Sequence, residues 1–190
     1  DMHDELGSGI TAIRLLSELV KAKMKDNTAP EIEKISQSAN DLIGKMNTII
    51  WTMKSANDRI DNLIAYIRNH AAEFFDNTDI TCQVLQPDDI PVIEISGEKR
   101  RNIYLCIKEA LNNIAKHAKA SRVTLRFSIN TDLCITIHDN GIGLDAAGIR
   151  LFSNGISNMR KRMERIGGSF SISSDGGGTE IALIIPLREF

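Results

Sequence analysis

The chain has 190 residues, 42% hydrophobic and 25% charged, with a formal net charge of −2. That is an ordinary globular balance and gives no overall footing for nucleic acid or an anionic membrane. No apolar run approaches the roughly 18 residues of a membrane span and no signal peptide is visible. Cys82, Cys106 and Cys134 are scattered without CxxC spacing, which favours reduced, buried thiols in a cytosolic compartment over disulfides or a metal cluster.

The chain opens at Asp1 in the middle of a helical pattern, which implies a fragment of a longer protein. Over residues 1–25, Leu6, Ile10, Ile13, Leu16, Val20 and Met24 recur at three- and four-residue steps, one apolar stripe of a helix. "DNTAPE" breaks it. Thr28 with Glu31 is a capping-box pattern, and Pro30 suits an early helix position. A second helix carries Ile32, Ile35, Ala39, Leu42, Met46, Ile49 and Met53. Two such helices form a hairpin whose narrow seam is too exposed in one chain. A four-helix bundle from two chains would bury it, which predicts a symmetric homodimer.

From residue 56 the texture changes. "NDRIDNLIAYIRNHAAEFF" predicts a third helix and "DITCQVL" a strand. Ser96 is a plausible N-cap for one long helix, "SGEKRRNIYLCIKEALNNIAKHA". "SRVTLRFSI" and "DLCITIHD" alternate across a short "NTD" turn, a hairpin pattern. "GISNMRKRMERIGG" is helical, and "SFSISS" and "EIALIIPL" make a last hairpin around "DGGGT". The expected fold class is α+β: a helical hairpin over residues 1–55, then over residues 56–190 a mixed sheet with helices packed on one face.

Several constellations could carry chemistry. At about 100° per residue, Glu109, Asn113, Lys116 and His117 share one stripe of the long helix, while Ile103, Ile107, Ala110, Leu111 and Ile114 form another face that would pack on the sheet. The Asn113 amide oxygen is a hard donor suited to Mg²⁺, which binds few protein groups and relies on phosphate oxygens. Lys116 and His117 could meet those phosphates. The same spacing also serves a solvated face. "DNGIG" (139–143) follows a strand, and Asn-Gly is a turn formula. Alternatively its glycines admit a flat ligand, and Asp139 accepts a hydrogen bond from an exocyclic amine such as that of adenine. "NGISNM" places Gly155 at a helix start, where free N–H groups attract anions. "GGGT" (176–179) could be a plain hairpin turn. Each glycine cluster is weak alone; together, in this order and with the polar stripe, they are specific.

"EALNNIAKHA", "DNGIG", "NGISNM" and "GGGT" resemble the successive nucleotide-binding boxes of the ATPase superfamily of gyrase, Hsp90, histidine kinases and MutL. "HDELG" at the head of the hairpin resembles the phosphoacceptor box of sensor histidine kinases, in the subgroup, nitrate-sensor-like, where an acid directly follows the histidine. The resemblance spans essentially the whole chain. It implies a Bergerat-type ATP-binding fold behind a dimerising phosphoacceptor hairpin.

By that resemblance His3 attacks the γ-phosphate of ATP through a ring nitrogen, and Asp4 orients it or takes up its proton. Without the downstream boxes, Asp1, Asp4 and Glu5 would suit the positive end of a helix dipole equally well. The resemblance further implies that Asn113 holds Mg²⁺ and that Glu109 sits in the metal's outer shell or polarises a water. Lys116 and His117 would contact phosphates, and Asp139 would fix the adenine amine in a pocket shaped by Gly141, Gly143, Gly178 and Thr179. Gly155, Ile156 and Met159 would form the far wall and the hinge of a lid, whose loop "GLDAAGIRLFSNG" is short, as in this subgroup. The phosphoryl group would pass to an aspartate on a response-regulator receiver domain docked on the hairpin. Subgroup members that also dephosphorylate the partner carry glutamine four residues after the acid; here Ser8 stands there, implying weak phosphatase activity. The alternatives are a dimeric nucleotide-binding module without kinase activity and an anti-sigma-type serine kinase. His70 is expected at the surface of the third helix, His138 as a packing or supporting residue, and Trp51 as core packing at the junction between the two regions.

Overall fold

The computed structural model describes residues 58–143, 153–174 and 176–187, and before them residues 13, 15, 18, 20, 35, 37–39, 42–44, 46, 50 and 51. The chain divides into two compact units, Asp1–Lys54 and Ser55–Phe190. In the first unit every described residue is helical, on both sides of the "DNTAPE" break. Ile13 and Val20, and again Ile35 and Leu42, lie seven residues apart and so share a helix face. All four are 41–50% exposed in the single chain. Ala39 is buried, and Ile50 and Trp51 are half-buried. The break, His3, Asp4 and Ser8 lie outside the described residues.

The second unit begins with α1, Ile60–Phe75, whose Ile60, Leu63, Ile64, Ile67, Ala71 and Phe75 make a buried stripe at helical spacing. After β1 (Thr81–Leu85), Ser96 caps α2 (Gly97–Asn113), its hydroxyl accepting the Lys99 N–H at 3.2 Å. Buried Arg100, near the head of α2, donates to Asp58 just ahead of α1. One continuous helix was expected through residue 118. Instead the α-helix gives way at Ile114–Ala118 to a single π turn, closed by Lys119 in the left-handed region at φ 52°.

β2 (Arg122–Ile129) and β3 (Asp132–Asp139) form the expected hairpin. α3 (Ser153–Arg165) follows, then β4 (Ser169–Ser174) and β5 (Thr179–Pro186). The sheet order is β1-β2-β3-β5-β4, with β1 parallel to β2 and all other pairs antiparallel. Strand alternation sorts the faces. Val123, Leu125 and Phe127, Leu133, Ile135 and Ile137, and Ile181, Leu183 and Ile185 are all buried beneath the helices. Ile103, Ile107, Ala110, Leu111 and Ile114 are buried too, the face of the long helix expected to meet the sheet.

One histidine and two cysteines differ from expectation: Cys82 and Cys134 are half-buried where buried thiols are expected, while Cys106 is buried. His70 is not a surface residue: its ring lies 5.2 Å from that of Tyr104 on α2 and 6.0 Å from that of Phe74, with Nε2 buried and unbonded among the described residues. The α1–α2 contact, invisible to a single-helix pattern, covers it. Of the two roles expected for His138, packing is excluded: it is exposed on the open face of the sheet, opposite Thr124 and Glu180 in the ladders, with its charge acting on the neighbouring Asp139 carboxyl.

Candidate nucleotide-binding site

On β3 the inward positions are Leu133, Ile135, Ile137 and then Asp139, so the pleat that buries three hydrophobes also buries a carboxylate at the strand's end. Asp139 is 2% exposed. Its Oδ1 accepts the Gly141 N–H at 2.8 Å, and the Thr179 N–H bonds the same carboxyl group. Burial pushes its pKa above the ordinary value; the Gly141 and Thr179 hydrogen bonds and the nearby His138 only partly pull it back. Two glycines make room. A Cβ on Gly141 would sit 2.1 Å from the Ala118 carbonyl oxygen, and one on Gly178, at φ +138°, would sit 1.9 Å from that of Asp139.

Above Asp139 opens a solvent-connected cleft whose lining is mostly apolar with a few convergent polar groups, the composition of a small-molecule site. Asn113, His117, Asp139 and Thr179 supply its polar groups, and Ile137, Ile156, Met159, Ile172 and Ile181 its apolar walls, with Gly143 at the lip. A flat heterocycle with an exocyclic amine fits this chemistry: apolar faces above and below, and one buried acceptor at the far end.

The structure thus gathers Asn113, His117, Asp139, Gly143, Ile156, Met159 and Thr179 around one cleft, with Gly141 and Gly178 bracing Asp139 from outside. Lys116, on the π turn beside His117, is exposed and lies outside the cleft wall. Glu109 is also outside the wall, but it faces the start of α3: a Cβ on Gly155 would lie 2.5 Å from Glu109 Oε1 and 3.7 Å from Asn113 Nδ2. Gly155 therefore permits α3 to approach the Glu109–Asn113 pair. Residues 144–152, in the loop expected to act as a lid, lie outside the described residues. Sequence reasoning missed the apolar walls from β3, β4 and β5. Ile137 does stand two residues before Asp139, which marks it as inward-facing, but Ile172 and Ile181 needed the strand order.

Among the described residues, no group of three or more His, Cys, Asp or Glu side chains could hold a metal ion. One hard amide oxygen on Asn113, with Glu109 nearby, matches Mg²⁺ only if phosphate oxygens supply most of its ligands. No helix among the described residues is long and apolar enough to cross a membrane.

Residues 1–58 match the family model described as histidine kinase, and residues 98–189 match that of the histidine kinase-, DNA gyrase B- and HSP90-like ATPases. The chain belongs to the sensor histidine kinases. Sensor histidine kinase YvfT of Bacillus subtilis is 33% identical over 98% of this chain and 48% of its own length. Nitrate/nitrite sensor protein NarQ of Escherichia coli is 24% identical over 96% of this chain and 33% of its own. The chain therefore spans about half or less of these relatives. In fold it is similar to the histidine kinase domain of a blue-light activated histidine kinase of Erythrobacter litoralis, with TM-score 0.63, 18% identity and coverage of 95% of this chain and 94% of that one. It is similar also to Acinetobacter baumannii histidine kinase AdeS, with TM-score 0.60, 13% identity and coverage of 97% and 98%. A histidine kinase of this organisation pairs a phosphoacceptor region with an ATPase-type domain, and the cleft lies within the second.

Proposed function

We propose that this chain is the cytoplasmic kinase core of a two-component sensor, phosphorylating His3 from ATP and passing the phosphoryl group to an aspartate of a response-regulator receiver domain. The observation that carries the reading is the buried Asp139 carboxylate at the end of a cleft whose other polar groups are Thr179 on β5, His117 on the π turn and Asn113 on the helix before it. Asp139 takes the adenine amine. Asn113 would hold Mg²⁺, which would supply charge neutralisation there, and His117 and the exposed Lys116 would take the phosphates.

In the transfer, a neutral ring nitrogen of His3 donates its lone pair to the γ-phosphorus. The N–P bond forms as the bond to the ADP oxygen breaks, and the proton on the other ring nitrogen passes to Asp4. Glu109 would sit in the metal's outer shell or polarise a water. Such chemistry rests on positioning and charge neutralisation. The exposed Ile13, Val20, Ile35 and Leu42 support a homodimer through the helical hairpin, where the receiver domain would also dock. Ser8 in place of glutamine supports weak phosphatase activity.

Incubation with radiolabelled ATP and Mg²⁺ tests this reading. Acid-labile, alkali-stable label that disappears in His3→Gln is the expected result. Acid-stable label on serine, or no label on a protein that binds ATP, would overturn it.

A further inference from the structure

Asn140 is exposed, yet its side chain makes three hydrogen bonds. Its Oδ1 accepts the Ser121 N–H at 3.0 Å and the Arg122 N–H at 2.8 Å, and its Nδ2 donates to Ser121 Oγ at 3.0 Å. Its own backbone N–H donates to the Arg122 carbonyl at 3.2 Å. Two residues on, the Ile142 N–H donates to the Ala118 carbonyl at 2.9 Å. The 140–142 turn is therefore pinned at both ends to one short segment, residues 118–122, which directly follows the π turn bearing His117. Between the pins lies Gly141, whose N–H holds Asp139 Oδ1.

We propose that Asn140 is a positioning residue for purine recognition, clamping the turn so that the Gly141 N–H aims the Asp139 carboxylate into the cleft. The inference rests on the reading of Asp139 as the group that meets the adenine amine. The β2–β3 ladder ends at the Val123–Asp139 pair, and just beyond it the Asn140 N–H still bonds the Arg122 carbonyl. The Asn140 side chain reinforces that last backbone bond with its bonds to Ser121 and Arg122 at the head of β2. Because both pins share the 118–122 segment, the amine end of the cleft is also held in register with His117.

The readout is a ratio: the affinity for ATP divided by that for purine riboside triphosphate, which lacks the 6-amino group. A variant that merely lowers the folded fraction weakens both nucleotides alike and leaves the ratio unchanged. In the unaltered protein a hydrogen bond to a buried carboxylate should give about tenfold discrimination or more. Asn140→Ala should reduce it to about threefold or less. Asn140→Asp, which keeps an acceptor for both N–H groups, should restore most of it. Asn140→Ser reaches only one of the two donors and should fall between; it carries the test if Asn140→Ala does not fold. Discrimination that persists undiminished in Asn140→Ala or Asn140→Ser overturns the inference alone. No discrimination in the unaltered protein overturns the reading of Asp139, and this inference with it.

Discussion

Gly178 passes so close beneath Asp139 that a methyl group on it would lie 1.9 Å from the Asp139 carbonyl oxygen. That oxygen is backbone and cannot swing away, and the glycine's φ of +138° is itself hard for any other residue to adopt. Gly178→Ala is therefore expected to destabilise the catalytic unit by about 2 kcal/mol and to weaken nucleotide binding. Chemical denaturation with and without ATP measures both effects.

Gly155→Ala should behave differently. The atom its Cβ would approach is Glu109 Oε1, the far end of a flexible side chain, so the fold can give way cheaply. The carboxylate then leaves its place beside Asn113. Chemical denaturation should show stability nearly unchanged, and steady-state kinetics KM for ATP within about twofold and kcat lowered about tenfold or more, as for a displaced acid–base group.

Asp139 makes stability depend on pH. Its folded pKa is raised above the ordinary 3.8, chiefly by burial. The folded state thus holds a proton that the unfolded chain has released, and stability falls as pH rises from 3.8 through the raised value. Asp139→Asn cannot ionise. Without nucleotide it should match the unaltered protein at about pH 4 and exceed it in stability by about pH 8, while losing ATP affinity. Thermal melts across that range check the sign; a constant difference would contradict it.

His70 acts in the opposite direction. Burial, with the Lys108 charge adding to it and Glu73 opposing, lowers its pKa below the ordinary 6.5. The contribution of neutral His70 is present above 6.5 and is lost as pH falls through the lower folded value. His70→Phe, set among Tyr104 and Phe74, should remove that acid-side loss. Urea titrations at several pH values measure it.

The Cys106 thiol is pushed up to about 12 by burial and donates to the Met159 carbonyl at 3.5 Å. At neutral pH only about one molecule in 100,000 carries the thiolate. Alkylation of Cys106 should therefore follow opening of the α2–α3 contact, and ATP should slow it further. Mass spectrometry of timed iodoacetamide reactions reads this directly.

Much of this is legible in the sequence. Ser96 stops one pattern and starts another, and "NTD" between two alternating runs admits little but a hairpin. The inward face of the long helix followed from its 3.6-residue period. What escaped depended on non-local contacts. The π turn satisfies no local preference visible in "IAKHA"; it ends where the Ala118 carbonyl meets Ile142, a partner 24 residues on. A regular helix puts Lys116 on the same stripe as His117, but of these two only His117 lines the cleft. His70 looked solvated because nothing in α1 records that Tyr104 lies across it. The side-chain bonds of Asn140 hid behind the turn-forming habit of Asn-Gly.

The most direct test of the central claim is titration calorimetry of the chain with a non-hydrolysable ATP analogue and Mg²⁺, alongside Asp139→Asn. The account predicts one saturable site per chain in the unaltered protein and loss of most of that affinity in a folded Asp139→Asn. Equal affinity in the two proteins, or no heat of binding in either, would contradict it.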